Sequence, residues 1–438
     1  MTRPALLLLG LLACATAYAQ PPSSASDIAL RLLDRLDARD YAAAESAFGE
    51  RMAAAVPAEK LAAVWESLPA QAGAARGRGA PTVSTGDGVQ MVVVPLHYEK
   101  AELVAKVAVD ATGAIIGFLI QPAPPAAAAA VAADAGFTER DFSVGDGNRA
   151  LPGTLAMPDA VHAPPRGVPA MVLVHGSGAT DRDETIGPNR PFLDIARGLA
   201  SQGIAVLRYE KRSKARPQDF ASVDFDIDDE TTDDAVAAVA ALRATKGIDP
   251  ERVFVLGHSQ GGMMAPRIAA HSGHVAGLVL LAAPARPLLD ILVEQNVRLA
   301  VLDDGKTSPQ EAEAIATLRQ QVAAVRAGGP VPLDRSPLHQ SATYWRSTDA
   351  VHPVEEAKAV ARPMLILQGA RDIQVVDADW QAWKAGLHAD PDVAFRLYPT
   401  LNHLGIAVGE DEGLAAYSRE GHVDPALIAD VAEWIRAH

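Results

Sequence analysis

Val253-Phe254-Val255-Leu256-Gly257-His258-Ser259-Gln260-Gly261 runs into a segment, Met263 to Ala270, with the spacing of a helix. An apolar strand, a serine between two glycines and then a helix is the pattern of a nucleophile elbow. Such a turn forces the serine backbone into a strained conformation, and only residues without side chains fit two positions before and two after it. The pentapeptide alone recurs by coincidence in a glycine-rich chain, so the strand-then-helix setting carries the reading.

Outward from the elbow, strands alternate with helices from Phe137 onward. The expected strands are Asp141–Val144, Leu151–Met157, Ala170–His175, Ile204–Tyr209, Val253–Leu256, Gly277–Ala282, Met364–Gln368 and Ala394–Tyr398. Helical segments fall at Pro191–Ser201, Asp233–Thr245, Met263–His271 and Pro425–Ala437, the last with Asp424 as N-cap and Pro425 at the first helical position. The central strands are continuous apolar runs, as a parallel sheet covered by helices on both faces requires. Residues from about 286 to 360 interrupt the rhythm with mainly helical sequence, placed where a cap over a site would be inserted.

A serine hydroxyl needs a base to take its proton, and the base needs a carboxylate to fix its tautomer. In this topology the order along the chain is Ser, Asp, His. Asp372 follows the strand Met364–Gln368 in the loop Gly369-Ala370-Arg371-Asp372, and His403 follows Ala394–Tyr398 in Pro399-Thr400-Leu401-Asn402-His403. Loops at the carboxyl ends of parallel strands share one edge of the sheet, so Ser259, Asp372 and His403 can converge. Asp377 and Asp379 are rival acids, and His258, His388 and His422 are rival bases; His258 lies inside the elbow itself.

The tetrahedral intermediate of acyl transfer also needs two donors, each worth on the order of 10²–10³ in rate. The backbone N–H of Gln260 is one, and the loop His175-Gly176-Ser177-Gly178 offers the second from Ser177, with Gly176 as the alternative. The run Asp181-Arg182-Asp183-Glu184 that follows is either a solvated loop or a device that orders the oxyanion loop through ion pairs with Lys211, Arg212 or Arg190. Phosphate-binding spacings of glycine are absent, and no motif calls for a cofactor or a metal.

The rest of the chain is organised around this unit. Arg3, the apolar run Ala5 to Ala13 and Ala17-Tyr18-Ala19 predict a secretory signal peptide over residues 1–19, and hence a periplasmic or secreted protein. Leu11-Leu12-Ala13-Cys14 loosely resembles a lipobox, the rival processing route. Cys14 is the one cysteine, so cleavage after Ala19 leaves no thiol for a disulfide, a zinc site or a nucleophile. Residues 24–120 predict a small α+β domain, with Ile28, Leu32, Leu33 and Leu36 at helical spacing and strands at Met91–Leu96, Leu103–Val109 and Ala114–Ile120. A Pro/Ala-rich linker over 121–136 separates it from the catalytic domain, 137–438.

With 438 residues, 49% hydrophobic and 21% charged, the composition is that of a globular protein with room for a large core. A net charge of -15 argues against nucleic acid and anionic membranes as partners. The leader's apolar run is too short to span a bilayer, and the sequence does not set an oligomeric state.

VHGSGATDRDETIGPNRPF, GIAVLRYEKR, VLGHSQGG, PMLILQGARDIQV and YPTLNHL together resemble the bacterial α/β-hydrolase esterases of the serine aminopeptidase-like branch, over Val174 to Leu404. Within that branch the likeness is to members with a small uncharacterised N-terminal domain. The resemblance implies an α/β-hydrolase fold with a helical cap and a triad at Ser259, Asp372 and His403. It also implies activity on short acyl esters, that is, a small-molecule substrate. A peptidase or amidase using the same triad, with Asp181, Asp183 and Glu184 reading a substrate amine, is the alternative, as is acyl transfer to an acceptor other than water. A binding scaffold without activity is disfavoured because no triad residue is missing.

Overall fold

A computed structural model describes residues 24–438 apart from 87, 124–127, 160–164, 221–224, 303–304 and 411–412. The predicted leader and Cys14 thus lie outside the described residues. The chain divides at Pro124/Pro125 into two compact units.

The first unit begins with α1 (Ala25–Asp37), α2 (Tyr41–Glu45), α3 (Glu50–Ala55) and α4 (Ala58–Ala72). Five antiparallel strands follow: β1 (Ala75–Arg78), β2 (Thr82–Gly86), β3 (Val89–Tyr98), β4 (Glu102–Val109) and β5 (Ile115–Pro122). Ser24 and Asp27 form a reciprocal capping box at the start of α1. Leu32, Leu33 and Leu36 on one stripe of α1 pack with Val92, Val94, Val107 and Ile115, the inward-facing positions of the sheet. β3, β4 and β5 are the three strands expected from alternation. β1 and β2 went unread because their side chains are almost all exposed and carry no apolar period.

The second unit is one eight-stranded sheet with helices on both faces. In chain order it comprises β6 (Phe137–Val144), β7 (Leu151–Pro158), β8 (Val168–Val174), α5 (Pro191–Ala200), β9 (Ala205–Tyr209), α6 (Arg212–Ala215) and α7 (Asp233–Arg243). It continues with β10 (Ile248–His258), α8 (Gln260–Ser272), β11 (Leu278–Leu281), α9 (Leu288–Leu299), α10 (Pro309–Arg326), α11 (Ala342–Asp349) and α12 (Pro353–Val360). The chain closes with β12 (Met364–Gly369), α13 (Asp377–Leu387), β13 (Val393–Tyr398) and α14 (Pro425–Ala437). Strand order across the sheet is β13-β12-β11-β10-β8-β9-β7-β6, with β7 antiparallel to both neighbours and β8 to β13 mutually parallel.

The apolar strands resolve into two cores because successive side chains point to opposite faces. Val172, Val174, Val255, Leu278, Leu280 and Ile366 face Val239, Met263 and Trp383 on one side. Met171, Leu173, Leu256, Val279, Leu365 and Leu367 face Phe192, Ile195, Leu427 and Val431 on the other. From β8 the chain crosses to β9 on one flank and returns to β10 on the other, so the connection reverses between β8 and β10. A crevice opens at such a reversal, at the carboxyl ends of the strands. α9, α10 and α11 are inserted between β11 and β12, with Leu289, Leu318, Val325 and Trp345 joining the first core. α12 packs instead on the helices α8 and α13: Val354 lies where a side chain on Gly386 of α13 would stand, and Glu356 pairs with Arg267 of α8. Among the described residues no helix is long and apolar enough to cross a membrane.

Candidate active site

Ser259 caps the β10–α8 turn with φ 52° and ψ -122°, a conformation unfavourable for any residue with a side chain. Neighbouring backbone leaves no alternative to glycine around it. A Cβ on Gly257 would lie 2.1 Å from the Gly261 carbonyl oxygen, and one on Gly261 would lie 2.2 Å from that of Val174. The Ser259 N–H donates to the Leu281 carbonyl (2.9 Å), which pins the turn to β11. The serine is half-buried, while the residues on either side of it are buried.

The loop after β12 carries Asp372, and the loop after β13 carries His403, both buried. Asp372 Oδ2 accepts from His403 Nδ1 at 2.7 Å. Its other oxygen, Oδ1, accepts the backbone N–H groups of Gln374 (2.7 Å) and Val375 (2.9 Å), and Gln368 Nε2 donates to Oδ2 (3.2 Å). With Nδ1–H committed to the carboxylate, His403 Nε2 is left as the proton acceptor. Asn402 shapes this loop: its Oδ1 accepts from the N–H groups of Leu404 (2.9 Å) and Ile406 (3.1 Å). The rival acids are occupied elsewhere. Asp379 binds Arg286 and the Ala285 N–H, and Asp377 accepts from Gln381. His388 and His422 are exposed and bonded to Lys384 and Asp194 respectively.

On the other side of the elbow, Gly176 stands where a Cβ would come within 3.2 Å of Ser259 Cβ. Its N–H donates to Glu184 Oε1 at 2.6 Å, and its carbonyl accepts from Lys211 Nζ at 2.7 Å. Ser177 is exposed, and among the described residues the N–H groups of Ser177 and Gln260 take no acceptor. Gly176, the alternative donor, is therefore committed, and Ser177 is the open one.

The Asp181–Glu184 run is an ordering device with partners other than those expected from sequence. Arg182 pairs with Glu210 (2.7 Å), Asp183 with Arg208, and Asp181 Oδ1 accepts the N–H groups of Asp183 and Thr185. Of the expected cations, Lys211 takes part through the Gly176 carbonyl, with Glu230 as its ion-pair partner (2.9 Å), and Arg190 acts on Asp183 at longer range. Glu184, buried and held at φ 52°, also sits 2.9 Å from His258 Nδ1 through Oε2. His258 Nε2 in turn bonds the His403 carbonyl at 2.8 Å. Burial opposes charge on His258, but the Glu184 carboxylate outweighs it and raises the imidazole pKa above its ordinary value. Burial likewise works against the Glu184 carboxylate, and His258 overcomes it and holds the carboxyl below its usual range. His175, fully enclosed against Phe192 and Tyr209, is pushed down to about 4 by burial and is neutral. Sequence reasoning set His258 aside as a base and had no signal for its pairing with a carboxylate 74 positions upstream. Among the described residues no group of acidic, histidine or cysteine side chains could hold a metal ion.

The chain is similar to known hydrolases. Residues 170–407 match the family described as serine aminopeptidase, S33, and residues 29–118 match a family of unknown function, DUF3887. The chain is 31% identical to the esterase EstD of Thermotoga maritima, over 93% of this chain and 94% of that protein. It is 30% identical to the putative esterase NocK of Nocardia uniformis over 34% of this chain and 42% of that one. Est1E of Butyrivibrio proteoclasticus, a solved structure, is 15% identical and covers 68% of this chain and 99% of its own, with a TM-score of 0.44. The chain is a hydrolase that belongs to the serine aminopeptidase, S33, family and carries the α/β-hydrolase fold behind a separate N-terminal domain.

Proposed function

We propose that the protein is a serine carboxylesterase that cleaves short-chain acyl esters through an acyl-enzyme. The observation that carries this reading is the buried 2.7 Å bond from His403 Nδ1 to Asp372, formed at the same sheet edge as the strained Ser259. Ser259 Oγ attacks the ester carbonyl while His403 Nε2 takes its proton. The N–H groups of Ser177 and Gln260 bind the oxyanion. His403 then protonates the departing alkoxide, and a water activated by the same nitrogen releases the acid and restores Ser259. Asp372 keeps His403 in the required tautomer and stabilises its charge.

The esterase relative from Thermotoga maritima supports ester over amide. So do the carboxylates of the 181–184 run, all of which are engaged by protein groups and none of which is left to read a substrate amine. The leader read in residues 1–19 supports a periplasmic or secreted location for this activity.

The test is hydrolysis of p-nitrophenyl acetate and butyrate, together with labelling by a fluorophosphonate. Ser259→Ala is expected to lose both. Retention of wild-type turnover by that variant, or faster cleavage of aminoacyl anilides than of acyl esters by the native enzyme, overturns the reading.

A further inference from the structure

A cavity of about 460 Å³ lies beside Ser177, between the oxyanion loop, the segment after β9 and the inserted helices. Its walls hold Phe220, Phe225, Tyr344 and Trp345. Aromatic residues make up only 5% of the chain, so four on one wall are a concentration rather than background. They form a continuous array. The Phe220 and Phe225 rings meet edge-to-face at 4.7 Å, Phe225 and Tyr344 lie 5.6 Å apart, and Tyr344 and Trp345 meet edge-to-face at 5.2 Å. The array is anchored to the elbow, because Gln260 Nε2, one residue past Ser259, donates to the Tyr344 hydroxyl at 2.7 Å.

The exposed rim of the cavity sets Leu333 and Leu338 beside the polar His339 and Gln340. Leu333 and Leu338 line it at 44% and 63% exposure, although large aliphatic side chains gain by burial. Leu338 and His339 are held there at φ 51° and 56°, the left-handed region that side chains avoid. The carboxylate on the wall, Glu230, is already satisfied by Lys211 Nζ (2.9 Å), Ser213 Oγ (3.1 Å) and Thr231 Oγ1 (2.8 Å). An ammonium entering here would therefore meet a neutralised carboxylate backed by a lysine. A neutral ring meets π faces and edges in the geometry that aromatic pairs prefer.

We infer that this cavity receives a neutral aromatic ring, so that the enzyme's preferred substrates are esters bearing an aryl or arylalkyl group. The word ester rests on the function proposed above; the ring preference rests on the cavity alone.

Size-matched pairs that differ only in aromaticity test it: benzyl against cyclohexylmethyl acetate, and methyl 3-phenylpropanoate against methyl 3-cyclohexylpropanoate. The aromatic member of at least one pair is expected to show kcat/KM higher by about tenfold, the scale of one good aromatic contact. Phe225→Leu brings that ratio close to one. Leu338→Ser, an exposed change that costs the core nothing, raises KM for the aromatic member. Binding of N-benzylacetamide against N-(cyclohexylmethyl)acetamide to Ser259→Ala, followed by calorimetry, reads the same preference without turnover. Ratios at or below one in both pairs, or a ratio that Phe225→Leu leaves unmoved, overturn the inference while leaving the esterase reading intact. No turnover of any ester, with the amide preference retained, overturns the esterase reading and supports the ring site.

Discussion

Glu184 Oε2 lies 2.9 Å from His258 Nδ1, and this buried contact joins the two loops on either side of Ser259. Through Oε1 the glutamate holds the Gly176 N–H, and through Nε2 the histidine holds the His403 carbonyl. Neither side chain is needed for proton transfer. Their geometry nonetheless fixes where Ser177 presents its N–H and where the His403 ring sits. Glu184→Gln keeps the shape of the side chain but removes the charge that matches His258, so both loops loosen. We expect kcat to fall on the order of tenfold to a hundredfold, since misplacement of about 1 Å costs this much, with KM for a small ester little changed. His258→Asn is expected to give a similar loss, and the double variant to lose little more than either single one. Steady-state kinetics on the three variants checks this; additive losses would mean that the two residues act separately.

The same pair gives stability a defined pH dependence. His258 titrates above its unfolded value of 6.5, so its contribution is complete below that pH and disappears as pH rises through the raised folded value. Glu184 titrates below its unfolded value of 4.5, so its contribution is complete above that pH and disappears as pH falls through the lowered one.

His175 acts with the opposite sign to His258. It stays neutral in the folded protein down to about 4, whereas the unfolded chain protonates it near 6.5. Folding stability therefore falls as pH drops from 6.5 toward 4, by an amount on the order of 3 kcal/mol if the ring stays fully enclosed. His175→Gln removes this titration. Although its Tm at pH 7.5 is expected to be lower, because packing against Phe192 and Tyr209 is lost, its further fall between pH 7 and 5 should be shallower than that of the native protein. Thermal melts across that range decide the matter, and parallel curves would show that another group dominates.

The sheet and the candidate triad were legible because local rules govern them. Buried apolar runs mark the strands, and a residue placed directly after a run stands at the sheet edge whatever the rest of the chain does. Ser259, Asp372 and His403 all have that property. The Glu184–His258 contact does not, since it depends on how a loop after β8 folds back over the elbow, and no spacing rule encodes it. The partners of the 181–184 run are only partly legible for the same reason. Arg208 and Glu210 are no farther in sequence than Lys211 and Arg212; which of these side chains faces the run is set by the pairing of β9 with β7 and β8, and Arg208 and Glu210 do.

Asp372→Asn tests the tautomer argument most directly. Oδ1 of Asp372 accepts two backbone N–H groups, from Gln374 and Val375, and only an oxygen can stand there. An asparagine must therefore place its carbonyl oxygen on those donors and turn its NH₂ toward His403. That NH₂ can only donate, so His403 Nδ1 becomes the acceptor and the proton moves to Nε2, the atom that accepts from Ser259 in the proposed mechanism. The fold is retained because the loop keeps both backbone bonds to Oδ1, the loss being the longer Gln368 Nε2 bond to Oδ2. The expected loss in kcat is about 10⁴, the scale found where a triad aspartate is amidated, with little change in Tm. Gly369→Ala provides the contrasting case. Its Cβ would lie 2.2 Å from the Leu401 carbonyl oxygen, so it drives apart the loops carrying Asp372 and His403. It should lose both activity and stability. Kinetics and melts on the two variants separate the chemistry from the scaffold: a large fall in Tm for Asp372→Asn would show that the carboxylate's first role is to hold the loop.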